Sequence, residues 1–288
     1  LATASQWLAG ARPRTLVTAV VPVAVGVAAA HTAGRIVAWR AVLALLVALA
    51  IQIGTNYAND YSDGIRGTDE VRVGPTRLVA GGLASPKSVR AAAFASFGVA
   101  GVCGLVLAIA TSPWIILVGA AAMAAGWFYT GGPRPYGYAG FGEAFVFVFF
   151  GLVAVSGTAY VSVGQIVPLS FVAAIPVGIA ATALLVVNNL RDIPTDAKAG
   201  KMTLAVRLGD ARTRWLYASC LLAATLSTAL SALWRPWAAI GLLAGVFAVR
   251  PIRVVTGGAT GRDLVPVLGM TAFFQLVLGA LLTIGLVV

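Results

Sequence analysis

Long apolar runs alternate with short polar clumps along the chain, and polar residues seldom interrupt a run. Nine runs stand out, at 15–33, 38–58, 88–110, 113–130, 142–163, 168–190, 213–233, 236–250 and 264–287. Most approach the ~20 residues that carry a helix across a bilayer. The eighth is the weakest, being short and closely preceded by Trp234, Arg235 and Pro236. Strands of a membrane barrel would be shorter and would alternate polar with apolar positions, whereas these runs are continuous. The pattern predicts an all-α chain, a polytopic membrane bundle of nine transmembrane helices forming one domain over residues 1–288.

Composition agrees. The chain is 60% hydrophobic and only 10% charged, with mean hydropathy +0.94, against roughly 25% charged residues in soluble domains. Its 33 glycines suit helices packed closely in lipid. Cys103 and Cys220 both fall within apolar runs, so they are expected to be inert thiols and not a disulfide framework. The first residues, LATASQWLAGARPRT, lack the charged and apolar regions of a signal peptide, so the first span is expected to be retained.

The net charge of +11 would suit a nucleic-acid partner only on a soluble basic face, and none is expected here. With the N-terminus cytoplasmic, seventeen of the twenty Lys and Arg fall in cytoplasmic segments, leaving Arg35, Arg40 and Arg235 outside. The positive-inside rule then places the C-terminus outside and the polar connections after the second, fourth and sixth spans in the cytoplasm.

Six of the nine carboxylates lie in two of those connections. Asn56–Glu70 (NYANDYSDGIRGTDE) holds Asp60, Asp63, Asp69 and Glu70; Asn188–Thr203 (NNLRDIPTDAKAGKMT) holds Asp192 and Asp196. Each follows an apolar run, where the negative end of a helix dipole disfavours further negative charge. A cation is needed to offset it. Asn56-x-x-x-Asp60 and Asn188-x-x-x-Asp192 form a weak repeat four spans apart. On a helix, the i, i+3 and i, i+4 spacings let each set share a face. Hard oxygen ligands point to Mg²⁺ or Ca²⁺, and Mg²⁺ is commonly held by one or two carboxylates together with substrate phosphates. Arg66, Arg72 and Arg77 follow the first cluster, and Lys198 and Lys201 the second, as a metal-bridged polyanion would require. Opposite charges pairing in solvated loops would account for either stretch alone. A third connection, Tyr129–Glu143, brings Arg134 and three tyrosines on a Gly- and Pro-shaped loop, where they could reach a polar ligand or form an interfacial belt. His31 is the only histidine, which excludes a His-based triad or a multi-His metal site.

These residues resemble the UbiA superfamily of intramembrane aromatic prenyltransferases, and more closely its MenA branch, the 1,4-dihydroxy-2-naphthoate prenyltransferases. The likeness runs from Arg12-Pro-Arg14-Thr15 to the last span. It is carried by Asn56-x-x-Asn59-Asp60-x-x-Asp63 with Gly67-x-Asp69, by Tyr129–Glu143, and by Asn189-Leu-Arg-Asp192-Ile-Pro-Thr-Asp196 continuing through Gly200-Lys-x-Thr203. Where the wider superfamily often has an acid, this chain has Gly67 and then Asp69. The resemblance implies nine helices around a central cavity, capped by the cytoplasmic loops and open sideways to lipid, in a bacterial plasma membrane. It implies transfer of a polyprenyl group from polyprenyl diphosphate to 1,4-dihydroxy-2-naphthoate, with loss of diphosphate and CO₂, giving demethylmenaquinone. Asn56, Asp60, Asp63, Asp192 and Asp196 would then hold Mg²⁺. Arg66, Arg72, Arg77, Tyr129, Arg134, Asn188, Lys198 and Lys201, with Asn56, would be diphosphate ligands. Transfer to another aromatic acceptor such as a hydroxybenzoate is the alternative reaction. An ion-coupled transporter is the alternative class, although its acids should lie mid-span at broken helices.

Overall fold

A computed structural model describes residues 2–68 and 77–288. Among them every regular element is helical. We number the helices α1 (Ala4–Gly10), α2 (Val17–His31), α3 (Ala38–Ile65), α4 (Pro86–Ala110), α5 (Trp114–Phe128), α6 (Gly142–Val163), α7 (Pro168–Lys198), α8 (Leu204–Leu208), α9 (Asp210–Ala232), α10 (Pro236–Thr256) and α11 (Gly261–Val287).

A helix lies at each of the nine expected runs, but length and composition do not establish nine crossings. Seven are long and apolar enough to span a membrane, and an eighth follows if Ala4–Thr15 and Val17–His31, bent by 49°, form one broken span. The fourth run gives only the 15 residues of α5, because Thr111, Ser112 and Pro113 delay its start and Gly131, Gly132 and Pro133 follow its end. Local chemistry sets the ends elsewhere. Ser85 caps α4, accepting from the Ser88 N–H, and Pro86 takes the first turn, where a missing N–H costs nothing.

Helix α7 is the centre of the bundle, with 67% of its most apolar 18-residue stretch buried. One side packs Ala183, Val187 and Leu190 against Tyr217, Leu221 and Phe274 of α9 and α11. Another packs Ala173 and Val177 against Val25 of α2 and Val155 of α6. Helix α3 instead packs on α4 through Tyr57, Ala58, Ala93 and Phe97. Where α6 crosses α7 the backbones nearly touch: a Cβ on Gly151 would lie 2.7 Å from the Gly178 Cα.

Close to that crossing, Phe147–Val153 winds as a π-helix. The cavity described below is lined by Phe145, Phe149, Val153, Gly157 and Val161, a stripe repeating every four residues. An α-helix turns about 40° too far over four residues, so such a stripe would rotate off the cavity wall. The wider π turns, with i to i+5 bonds, wind it back.

Candidate active site

The two acidic stretches are the C-terminal ends of α3 and α7, and both helices stop in the same way. Gly67 and Gly200 both have φ +71, a conformation glycine adopts without strain. After Gly67, the Thr68 N–H donates to the Asp63 carbonyl; after Gly200, the Lys201 N–H donates to the Asp196 carbonyl. The N–H groups of Gly67 and Gly200 donate to the carbonyls of Gly64 and Ala197, completing two Schellman caps. Asp63 and Asp196 therefore occupy equivalent positions, one turn before each cap, and both are buried.

Their side chains meet through Lys201. Its Nζ lies 3.9 Å from Asp63 Oδ2 and 3.7 Å from Asp196 Oδ1, bridging a carboxylate from each stretch. Arg77 approaches Asp63 Oδ2 at 3.9 Å. The Tyr138 hydroxyl donates to Asp63 Oδ1 at 2.8 Å, and Arg66 and Lys201 stack over its ring at 5.3 and 5.2 Å. Burial, and next the charge of Asp63, push the Tyr138 phenol above its ordinary range, so it remains a donor at neutral pH. Burial likewise raises Tyr136.

The other two carboxylates are engaged differently. Asp60, 1% exposed, accepts the Leu78 and Val79 N–H groups, both at 2.9 Å. It holds the turn after α3 against the helix and returns Arg77 to the site. Asp192 receives Nε and Nη2 of Arg191, both at 2.7 Å, while Asn188 Oδ1 accepts from the same Nη2 at 2.9 Å. Arg66 donates to the Thr130 and Gly132 carbonyls, pinning the tyrosine loop. Arg134 and Lys198 are solvent-exposed and do not line the cavity. Arg72 and Asp69 lie outside the described residues.

A cavity of about 870 Å³ opens beneath these groups. Its polar end presents Arg12, Arg14, Arg77 and Arg191 with Asn56, Asn59, Asp60 and Asn188, and Tyr129 and Tyr136 lie on its wall. Its depth is apolar, with Leu105, Ile116 and the α6 stripe. Gly101, Gly104, Gly119 and Gly157 also line it, and a Cβ added to any of them would meet nothing within 4 Å. Their missing side chains widen the cavity and do not serve helix contact. Arg12, Arg14 and Arg191 are absent from the ligands expected from sequence, although they lie in stretches that carry the family likeness. The signal for Arg12 and Arg14 was their place beside a span start, and Arg12 takes a left-handed backbone, φ 53, seldom seen outside glycine.

The donor set suits a hard divalent ion, because the ammonium between Asp63 and Asp196 occupies a position where a cation is required. Among the described residues, no three of His, Cys, Asp and Glu gather closely enough to hold a metal. A divalent ion held here would need further oxygens beyond these carboxylates, such as those of substrate phosphates. Four arginines around one end of an apolar cavity favour a ligand with a polyanionic head and a hydrocarbon tail.

Comparison with known proteins leads to the same place. The model of the UbiA prenyltransferase family matches residues 19–264. The 1,4-dihydroxy-2-naphthoate octaprenyltransferase of Mycobacterium tuberculosis is 53% identical over 277 residues, covering 96% of this chain and 95% of that one. The enzyme of that name from Escherichia coli is 35% identical, covering 96% and 92%. A UbiA homologue from Archaeoglobus fulgidus, bound to GPP and Mg²⁺, superposes with a TM-score of 0.62 at 17% identity, covering 96% and 99%. The apo homologue from Aeropyrum pernix gives 0.74 at 15% identity, covering 94% and 97%, so these two structures speak for the fold. The chain is a multi-pass membrane protein and belongs to the UbiA prenyltransferase family.

Proposed function

We propose that this protein transfers a polyprenyl group from polyprenyl diphosphate to 1,4-dihydroxy-2-naphthoate in menaquinone biosynthesis. The observation that carries the reading is the four-arginine end of an otherwise apolar cavity of about 870 Å³. A diphosphate fits the first part and an isoprenoid chain the second. The named relatives supply the acceptor.

In the reaction the allylic C–O bond breaks and its electron pair leaves with diphosphate. The ring carbon bearing the carboxylate bonds to the allylic carbon, and the carboxylate departs as CO₂. The product is demethylmenaquinone at the hydroquinone level, so the step needs no oxidant. Asp63 and Asp196, with Asp60, Asp192 and Asn56, would hold Mg²⁺ alongside the diphosphate. That ion would neutralise charge developing on the leaving group. Arg77, Arg191, Arg12 and Lys201 bind the same anion from the protein side, with Arg14, Asn188 and Tyr129 around it. Preorganised donors of this kind stabilise charge most where water is excluded. Arg66 and Tyr138 act by fixing the loop and Asp63. The faces of Tyr136 and Phe145, stacked at 4.0 Å, lie on the cavity wall, where they screen the allylic cation from water.

The whole chain serves as one catalytic domain in a bacterial plasma membrane, with the polar end cytoplasmic. The seventeen-to-three distribution of basic residues supports that orientation. Purified protein in detergent with Mg²⁺, geranylgeranyl diphosphate and dihydroxynaphthoate should yield a prenylated, decarboxylated product by mass. Product from hydroxybenzoate but not from dihydroxynaphthoate would overturn the acceptor, and activity only in sealed vesicles would overturn the class.

A further inference from the structure

We infer that Gln52 binds the aromatic acceptor by accepting a hydrogen bond from one of its ring hydroxyls. The inference rests on the function proposed above. Gln52 lies on α3 one turn deeper than Asn56, on the same face; it is 7% exposed and lines the cavity. Its orientation follows from a complete accounting of its neighbours. The Thr15 hydroxyl spends its one proton on the Arg12 carbonyl at 2.9 Å. Thr15 Oγ1 can therefore only accept, and does so from Gln52 Nε2 and Asn56 Nδ2, both at 3.1 Å. Asn56 Nδ2 also donates to the Ala11 carbonyl at 2.8 Å, which leaves Asn56 Oδ1 facing Gln52 Nε2 at 3.5 Å. Turning the Gln52 amide over would set its oxygen against two atoms that have no proton to give. The nitrogen is directed toward Thr15, and Oε1, buried, has no partner among the described residues.

A buried acceptor without a donor is costly, so a ligand in this cavity is selected for supplying one. A polyprenyl chain has no donor, and an ionised diphosphate offers only acceptors. Dihydroxynaphthoate carries two hydroxyls. Of the two substrates, only the acceptor can satisfy Gln52.

The location is suitable as well. Asn56 and Asp60 stand one and two turns nearer the polar end, about 5.4 Å per turn. The hydroxyl would thus be held where head meets tail, beside the breaking C–O bond. Accepting its hydrogen bond also leaves more electron density on the ring carbon that attacks.

The test uses the full protein in detergent with dihydroxynaphthoate as substrate. Its two mono-deoxy analogues, 1-hydroxy- and 4-hydroxy-2-naphthoate, serve as competing ligands. The wild type should bind one analogue about tenfold more weakly than the other. Gln52→Met should raise the acceptor KM about tenfold, leave the prenyl diphosphate KM within about twofold, and abolish that preference. Gln52→Glu, protonated where burial disfavours its charge, keeps a donor toward Thr15 and an accepting oxygen, and should retain the preference. An unchanged acceptor KM in Gln52→Met, a parallel rise in both KM values, or an intact preference would overturn the assignment and leave Oε1 to cavity water. Should Gln52→Met fail to fold, loss of the preference in Gln52→Glu overturns it equally. A wild type inactive on dihydroxynaphthoate would overturn the acceptor reading itself, and this inference with it.

Discussion

The ends of α3 and α7 invite comparison because the sequence repeats in both, yet two different repeats coincide there. Asn56-x-x-x-Asp60 matches Asn188-x-x-x-Asp192, and Asp63-x-x-x-Gly67 matches Asp196-x-x-x-Gly200. The two are out of step by one residue: Asp60 to Asp63 is three positions, Asp192 to Asp196 four. One residue is about 100° of helix. Because the helices stop at the glycines, Asp63 and Asp196 become equivalent, while Asp60 and Asp192 face different neighbours. Asp60 meets backbone N–H groups and Asp192 meets Arg191. Two carboxylates that look equivalent in the sequence therefore do different work.

The largest effect should follow from the equivalent pair. Asp63→Asn and Asp196→Asn should each lower turnover about 10²–10³-fold, the usual loss when one stabilising contact to a leaving group goes, and the two should agree within about tenfold. Chelation should stop the wild type and Mg²⁺ restore it. Near-normal turnover in one variant beside a dead second would break the equivalence.

The inequivalent pair should separate in stability. Asp60→Asn leaves a buried backbone donor opposite an NH₂ group, costing about 1–3 kcal/mol, and added diphosphate should not recover it. Its two backbone bonds give Asp60 a structural role whether or not it also holds the ion. Asp192→Asn instead leaves the Arg191 cation facing the cavity. Its cost should stay below the roughly 3–5 kcal/mol of a fully buried broken pair, and inorganic diphosphate should restore part of it. Thermal melts with and without diphosphate distinguish the two; equal rescue would sink the distinction.

Much of the helix layout was legible because apolar runs of membrane length have few alternatives. The acidic clusters were legible because carboxylates are so scarce. The parts that escaped depend on contacts through space. Nothing near Arg191 says that it turns onto Asp192 at the cavity wall, and the run Phe145–Phe150 carries no sign of a π-helix. Gly67 and Gly200 could have been found, since a glycine four residues after an acid at a run's end suits a helix cap. Gln52, a polar residue inside an apolar run, was the plainest unread signal.

A smaller effect concerns the bridge between the two ends. In Lys201→Met the ammonium between Asp63 and Asp196 is gone, and the carboxylates repel without it. The variant should melt lower than wild type in chelator, and Mg²⁺ should raise its melting temperature more than it raises that of wild type. An equal Mg²⁺ response in both proteins would mean that the ion does not enter between the two ends.

The smallest effect belongs to the cations that sequence placed in the site and the structure leaves outside it. Lys198 precedes the α7 cap by two residues and Arg134 sits on the tyrosine loop, both exposed and absent from the cavity lining. An exposed charge near a site acts mainly by drawing in an anionic ligand, an effect that salt screens over about 8–10 Å. Lys198→Ala and Arg134→Ala should therefore leave kcat unchanged. The apparent KM for prenyl diphosphate should rise no more than about threefold at low salt, and the difference should vanish at 0.5 M salt. Arg77→Ala, which removes a buried cation from the cavity's polar end, should lower kcat at every salt concentration. A salt-insensitive loss of kcat in Lys198→Ala would show that the end of α7 closes over the ligand further than this structure shows. The two acidic helix ends would then differ in their motion as well as in their partners.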